Sequence, residues 1–152
     1  MDNSVLVQFK DLGLAGALAF SAVGSGLGAG YAGMAAVGAW KRAFAQNKTA
    51  SFMLIVFVGA PLTQTIYGMI IMNKIAEAAA HGFYLWGLGI FCGIACGVSA
   101  LMQGKAGAVA ADALGATDKG FGNYIIVLGI IETVALFVMA FALGVIGKVT
   151  GV

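Results

Sequence analysis

Residues 122–147 read GNYIIVLGIIETVALFVMAFALGVIG, an apolar stretch long enough to cross the ~30 Å hydrocarbon core of a membrane as one helix. Its only charged side chain is Glu132. A carboxylate near the middle of a bilayer costs roughly 2.5 kcal/mol or more, so such residues usually belong to ion or proton pathways. The alternative is an ion pair between helices, but no Lys or Arg lies in the middle of another apolar stretch. The sequence therefore predicts that Glu132 is the functional residue.

The composition is that of an integral membrane protein. Of the 152 residues, 61% are hydrophobic and 9% are charged, and the mean hydropathy is +1.00. A soluble domain carries about 25% charged residues. The net charge of +2, without a basic cluster, argues against nucleic-acid binding. Residues 1–10 lack the basic segment of a cleaved signal peptide, so we expect the first span to remain in the mature chain.

Four apolar stretches predict an all-α membrane protein with four transmembrane helices, because each stretch exceeds the ~20 residues that a spanning helix needs. The predicted helices lie at about 12–39, 51–73, 83–111 and 121–148, and they form two hairpins, residues 10–80 and 81–152. The hairpins resemble one another: residues 32–36, AGMAA, correspond to residues 106–110, AGAVA. Val58-Gly59 likewise corresponds to Leu128-Gly129, which aligns Leu62 with Glu132. This pattern indicates a parallel duplication in which only the second copy carries the carboxylate.

An even number of spans puts both termini on one side of the membrane and the 40–50 and 112–120 loops on the other. The loop side holds Lys41, Arg42, Lys48, Lys105 and Lys119, and the side of the termini holds Lys10, Lys74 and Lys148. Because basic residues favour the cytoplasmic side, the two loops are predicted to be cytoplasmic and both termini non-cytoplasmic.

Glycine is concentrated in the first and third spans. It occupies positions 13, 16, 24, 26, 28, 30, 33 and 38 of the first and positions 87, 89, 93, 97, 104 and 107 of the third. Glycines let membrane helices approach closely, so we predict two layers, with these spans inside and the bulkier second and fourth spans facing lipid. We expect Cys92 and Cys96 to be small packing residues rather than a disulfide or a metal pair.

Residues 28–33 match the dinucleotide pattern G-x-G-x-x-G, but they lie inside a predicted membrane helix. That pattern requires a preceding strand and an acidic residue about twenty positions later. Residues 45–58 contain no Asp or Glu. We therefore expect these glycines to serve packing and not nucleotide binding.

Polar residues of three spans lie at a common depth. Thr63 and Gln64 interrupt the second span, Gln103 the third and Glu132 the fourth, all roughly 12–18 Å from the loop side at 1.5 Å per residue. Their oxygens are hard ligands suited to a hard cation. Pro61, which has no N–H, is also expected to free the carbonyl of Phe57. The alternative is that the amides only join helices, for roughly 0.6–2 kcal/mol each. The common depth beside a buried Glu favours a cation site.

The duplicated hairpin, the glycine-rich first span, Pro61-Leu62-Thr63-Gln64 with Tyr67, Gln103 and Glu132-Thr133 resemble the proteolipid (subunit K) of V-type rotary ATPases, a double-hairpin relative of the F-type c subunit. The resemblance covers essentially the whole chain and is strongest to bacterial sodium-translocating members. Leu62 departs from the glycine that the family pattern has after the proline.

The resemblance implies a Na⁺ site with a defined set of ligands and neighbours. The implied ligands are Glu132, Gln103, Gln64, Thr63 and the backbone carbonyl of Ala60, with Tyr67 bonded to the carboxylate and Pro61 shaping the turn. It also implies a homo-oligomeric rotor ring in the bacterial plasma membrane, surrounded by lipid. Ions would load and unload at a stator subunit with an essential arginine, and loops 40–50 and 112–120 would face the central stalk. The chain itself would carry no catalysis, since ATP turnover belongs to the soluble part of such a complex.

Two other functions account for a membrane Glu. A proton-carrying rotor of the same family would use Gln103, Gln64 and Thr63 only to hydrogen-bond a protonated Glu132. A small four-helix antiporter would need an aromatic-lined cavity around the Glu, whereas its sequence neighbours are Ile130, Ile131, Thr133 and Val134. A purely structural membrane protein would leave Glu132 unexplained.

Overall fold

The structure, a computed structural model, describes residues 9–151 and folds this part of the chain into helices without a β-strand. The four long helices are α1 (Lys10–Ala45), α2 (Leu54–Ala80), α3 (Trp86–Thr117) and α4 (Phe121–Thr150). Each is long and apolar enough to cross a membrane, which confirms the predicted fold class. The expectation about residues 1–10 falls mostly outside the described residues.

Three helices continue beyond the predicted spans. α1, α2 and α3 pass the predicted ends at residues 39, 73 and 111 and stop only at Ala45, Ala80 and Thr117. The added segments are rich in Ala, the best helix former, so a fall in hydropathy does not end the helix. The break at residues 112–120 is consequently reduced to a turn at 118–120, in which Asp118 has φ 54° and Gly120 φ 89°.

The structure places Lys105 deeper in the third span than the sequence analysis did. The sequence groups it with the loop side, but it lies inside α3, about twelve residues or roughly 18 Å before the end of that helix. The statement that no basic residue lies in the middle of another span is therefore wrong. Lys105 is exposed, and its Nζ lies 5.6 Å from the centre of the Tyr31 ring. Among the described residues it forms no salt bridge with Glu132, so the ion-pair alternative finds no support there.

α1 and α3 form the tightest contact in the chain because glycines meet at their interface. A Cβ on Gly24 would lie 2.0 Å from the carbonyl oxygen of Gly97, and a Cβ on Gly104 would lie 2.2 Å from the Cα of Gly28. Only glycine permits backbones to approach this closely. Each contact pairs a residue of α1 with one about 75 positions later, so the two helices run parallel. This arrangement is the one expected of a duplicated hairpin.

The predicted layering holds only in part within one chain. α3 is the most buried helix and α4 the least, as predicted. However, α1 has an exposed face that includes Gly26 and Gly30, and a Cβ on either would meet no atom within 4 Å. The expectation that the glycines of residues 28–33 serve packing is therefore confirmed for Gly28, whereas Gly30 meets no atom of its own chain and its packing role stays a prediction.

Candidate functional site

The carboxylate of Glu132 is held by donors from two other helices. The Tyr67 hydroxyl of α2 donates to Oε1 at 2.8 Å, and Nε2 of Gln103 in α3 donates to Oε2 at 3.3 Å. The Glu132 side chain is half-buried. Within residues 9–151 no basic side chain forms a salt bridge with it. In this part of the chain the Glu132 carboxyl group is thus held by hydrogen bonds and not by an ion pair.

Gln103 connects the three helices that surround the carboxylate. It is 1% exposed, and its Nε2 also donates to the carbonyl of Leu128 in α4 at 3.0 Å. Its Oε1 accepts from Nε2 of Gln64 at 2.8 Å, and Gln64 is fully buried in α2. A buried amide with both ends bonded holds its neighbours in fixed positions. The sequence places these residues at one depth, and in the structure they are in direct contact.

Thr63 extends the polar layer to the backbone of α2. Its Oγ1 lies 3.2 Å from the carbonyl oxygen of Ala60 and 3.2 Å from Oε1 of Gln64. α2 contains a 3₁₀ turn at Ala60–Leu62, centred on the buried Pro61. The proline lacks a donor and alters the helical turn around it, whereas the contact of the Thr63 hydroxyl with the Ala60 carbonyl is the i−3 contact that a threonine commonly makes in a helix. Three oxygens therefore lie side by side at this turn.

The carbonyl that the proline was expected to free faces another helix. The oxygen of Phe57 would lie 3.0 Å from a Cβ on Gly107, one turn along α3 from Gln103. The Ala60 carbonyl, which the family resemblance implies as a ligand, lies within hydrogen-bond distance of Thr63 of the same helix. The parts that the carbonyls of Phe57 and Ala60 would play in an ion site stay predictions.

The donor set of this layer suits a monovalent cation or a proton. Oxygen ligands stand about 2.3–2.6 Å from Ca²⁺, a cation close to Na⁺ in radius, so neighbouring oxygens around such an ion lie about 3.2–3.7 Å apart. The 3.2 Å spacings around Thr63 Oγ1 fall at the lower end of that range. No group of three or more His, Cys, Asp or Glu that could hold a metal ion occurs in residues 9–151. The layer offers one negative charge with neutral oxygens, and one positive charge neutralises it.

The sequence analysis did not single out Ser99, a serine near this layer. Ser99 lies one turn before Gln103 on the same face of α3, is 5% exposed and donates to the carbonyl of Ile131 at 3.1 Å. The i, i+4 spacing from Gln103 is the signal that could have identified it.

Thr133 belongs to the motif that resembles the proteolipid family, yet its hydroxyl donates to the carbonyl of Ile130 of its own helix at 2.7 Å.

Cys92 and Cys96 lie one turn apart in α3, and both are buried free thiols. Sγ of Cys96 lies 4.0 Å from the carbonyl oxygen of Ala135. They contribute to the packing between α3 and α4, in the role predicted for them.

Comparison with known families finds one similarity, in the second half of the chain. The family model of the ATP synthase c subunit matches residues 86–145 of the 152, a segment that holds α3 and most of α4. Gln103 and Glu132 both lie within it. A comparison with curated proteins finds no match to the chain. The hairpin that carries the candidate carboxylate is therefore similar to the c subunit of ATP synthases.

Proposed function

We propose that the chain is a subunit of the membrane rotor ring of a V-type rotary ATPase and carries Na⁺ across the membrane at Glu132. The observation that carries the proposal is the hydrogen bonding of this single membrane carboxylate to Tyr67 and Gln103, at the end of a continuous polar layer. The similarity of residues 86–145 to the c subunit of ATP synthases supports the rotor role. Catalysis of ATP hydrolysis or synthesis is assigned to other subunits.

The charge of Glu132 explains how such a subunit would work. A bare carboxylate turns toward lipid only at a high free-energy cost, whereas a bound Na⁺ or proton removes its net charge. The loaded site can then rotate through the bilayer. A stator arginine would displace the ion, because it offers the carboxylate a competing positive charge. Tyr67 and Gln103 hold the carboxylate in position between these two events.

The exposed face of α1 supports assembly into a homo-oligomeric ring. Ala22, Gly26 and Gly30 are exposed, and their four-residue spacing is typical of close packing between membrane helices. Within one chain nothing covers the two glycines. We propose that neighbouring copies cover this face and that lipid covers the large apolar residues of α4.

We propose that the central stalk contacts the end of the chain where loops 40–50 and 112–120 lie. Arg42 of α1 pairs with Asp112 of α3 at this end, and the indole of Trp40 donates to the carbonyl of Ser51 at 2.7 Å. These contacts tie α1 to α3 and to the connection before α2. We place this end in the cytoplasm, and both termini on the opposite side of a bacterial plasma membrane, from the excess of basic residues.

Carbodiimide labelling of the intact ring tests the proposal. Dicyclohexylcarbodiimide reacts with a protonated carboxyl group, so Na⁺ bound at Glu132 should protect it. Protection should weaken as pH falls, because protons compete for the same oxygens. Alanine at Gln103, Gln64 or Thr63 should raise the Na⁺ concentration needed, whereas Gln46→Ala, at the exposed end of α1, should not. Equal protection by Na⁺ and choline would contradict sodium carriage and favour the proton-carrying rotor.

A further inference from the structure

One buried side-chain polar atom in the described part of the chain lacks a hydrogen-bond partner: the hydroxyl oxygen of Ser25 in α1. Ser25 is 2% exposed. The serine one turn earlier, Ser21, is equally buried but donates to the carbonyl of Ala17 at 2.8 Å. A buried hydroxyl without a partner is unfavourable and rare. A second state of the site that gives the Ser25 hydroxyl a hydrogen-bond partner would remove this free-energy cost.

The register between α1 and α2 places Ser25 beside the polar layer. A Cβ on Gly68 would lie 2.7 Å from the Cβ of Ser21, and a Cβ on Gly28 would lie 3.0 Å from the Cβ of Pro61. The two helices are therefore antiparallel, with these pairs in contact. One turn from Ser21 toward Gly28 is Ser25, and one turn from Gly68 toward Pro61 is Gln64. Ser25 and Gln64 are consequently level with each other across the interface.

Binding of Na⁺ at the proposed site would remove a hydrogen-bond acceptor from the amide N–H of Gln64. In the structure its Nε2 donates to Oε1 of Gln103, and its own Oε1 lies 3.2 Å from the Thr63 hydroxyl. A Na⁺ that draws on both amide oxygens competes with the N–H of Gln64 for Oε1 of Gln103. This N–H then needs another acceptor in a fully buried place.

We propose that Ser25 supplies this acceptor and so acts as a positioning residue for the ion site, an inference that rests on the proposed Na⁺ function. With its N–H bonded to Ser25 Oγ, Gln64 directs its Oε1 toward the ion. The proton of Ser25 is free to bond the carbonyl one turn earlier in α1, as the proton of Ser21 does. Ser25 touches no ion itself. α1 thereby influences a site whose proposed ligands all lie on α2, α3 and α4.

Substitution of Ser25 by alanine in the full-length ring provides the test. Loss of one buried hydrogen bond of the loaded state should raise the Na⁺ concentration for half-protection of Glu132 about three- to ten-fold. The matched control is Ser21→Ala, which removes a hydroxyl from the same face of α1 and should leave that concentration unchanged. Equal half-protection in Ser25→Ala and the unmodified ring would overturn the inference while leaving Na⁺ carriage standing. Absence of Na⁺ protection in the unmodified ring would overturn both.

A double-mutant cycle separates positioning from packing. If Ser25 acts through Gln64, Ser25→Ala should have no further effect in a ring that already carries Gln64→Ala, because the N–H that it accepts is gone. Half-protecting Na⁺ concentrations are measured for both single variants, the double variant and the unmodified ring. Effects that multiply in the double variant would show that Ser25 acts by packing alone and would overturn the inference.

Discussion

Replacement of Tyr67 by phenylalanine isolates one of the two hydrogen bonds to the candidate carboxylate. The Tyr67 hydroxyl donates to Oε1 of Glu132 at 2.8 Å, while Gln103 donates to the other oxygen. Phenylalanine keeps the ring and its packing, so the change removes a donor without creating a cavity. Oε1 of Glu132 then loses its hydrogen bond, and the ionised carboxylate that holds Na⁺ becomes less favourable.

The expected size of the effect follows from the kind of hydrogen bond removed. A bond to a charged group contributes roughly 1.5–3 kcal/mol. The lower end applies because Glu132 is only half-buried and keeps its bond to Gln103. A loss of about 1.5 kcal/mol corresponds to about a ten-fold higher Na⁺ concentration for half-protection from carbodiimide labelling.

The assay for this prediction is the rate of labelling of purified rings over a Na⁺ series at fixed pH and ionic strength. Tyr31→Phe is the matched control, because the Tyr31 ring lies under Lys105 on an exposed face and the ring–cation contact survives loss of the hydroxyl. A shift of less than about two-fold for Tyr67→Phe, or an equal shift in both variants, would refute the proposed role of this hydrogen bond.

Three further outcomes are expected. Glu132→Gln should abolish ion transport in reconstituted vesicles while the ring still assembles, because the amide keeps the shape but loses the charge; transport near the normal rate would contradict this. Gly104→Ala should lower the melting temperature of the ring, since its Cβ would lie 2.2 Å from Gly28, whereas Gly122→Ala, with no atom within 4 Å, should not. Native mass spectrometry in mild detergent should find a closed homo-oligomer, and monomers alone would refute the ring.

The positions of the helix ends show why hydropathy locates a membrane span better than it locates a helix. The hydropathy of the sequence falls at residue 111, but α3 continues to Thr117 because Ala, Asp and Leu there remain compatible with a helix. Hydropathy reports transfer into lipid, whereas a helix ends where its backbone turns, here at Asp118 with φ 54°. Because hydropathy ended the third span at residue 111 and the helix ends at Thr117, the sequence placed Lys105 nearer the loop side than it lies in the structure.

The sequence alone determined that this is a four-helix membrane protein with one candidate carboxylate, Glu132, and with Gln64 and Gln103 at a similar depth. Those features follow from composition and from a fixed rise per residue, which are local properties. Tertiary structure decided which groups meet: Tyr67 and Gln103 both donate to Glu132, and Ser25 lies level with Gln64. Such contacts depend on the register between helices. That register is set by glycine contacts such as Gly68 with Ser21 between α1 and α2 and Gly28 with Gly104 between α1 and α3, which a single segment of sequence does not encode.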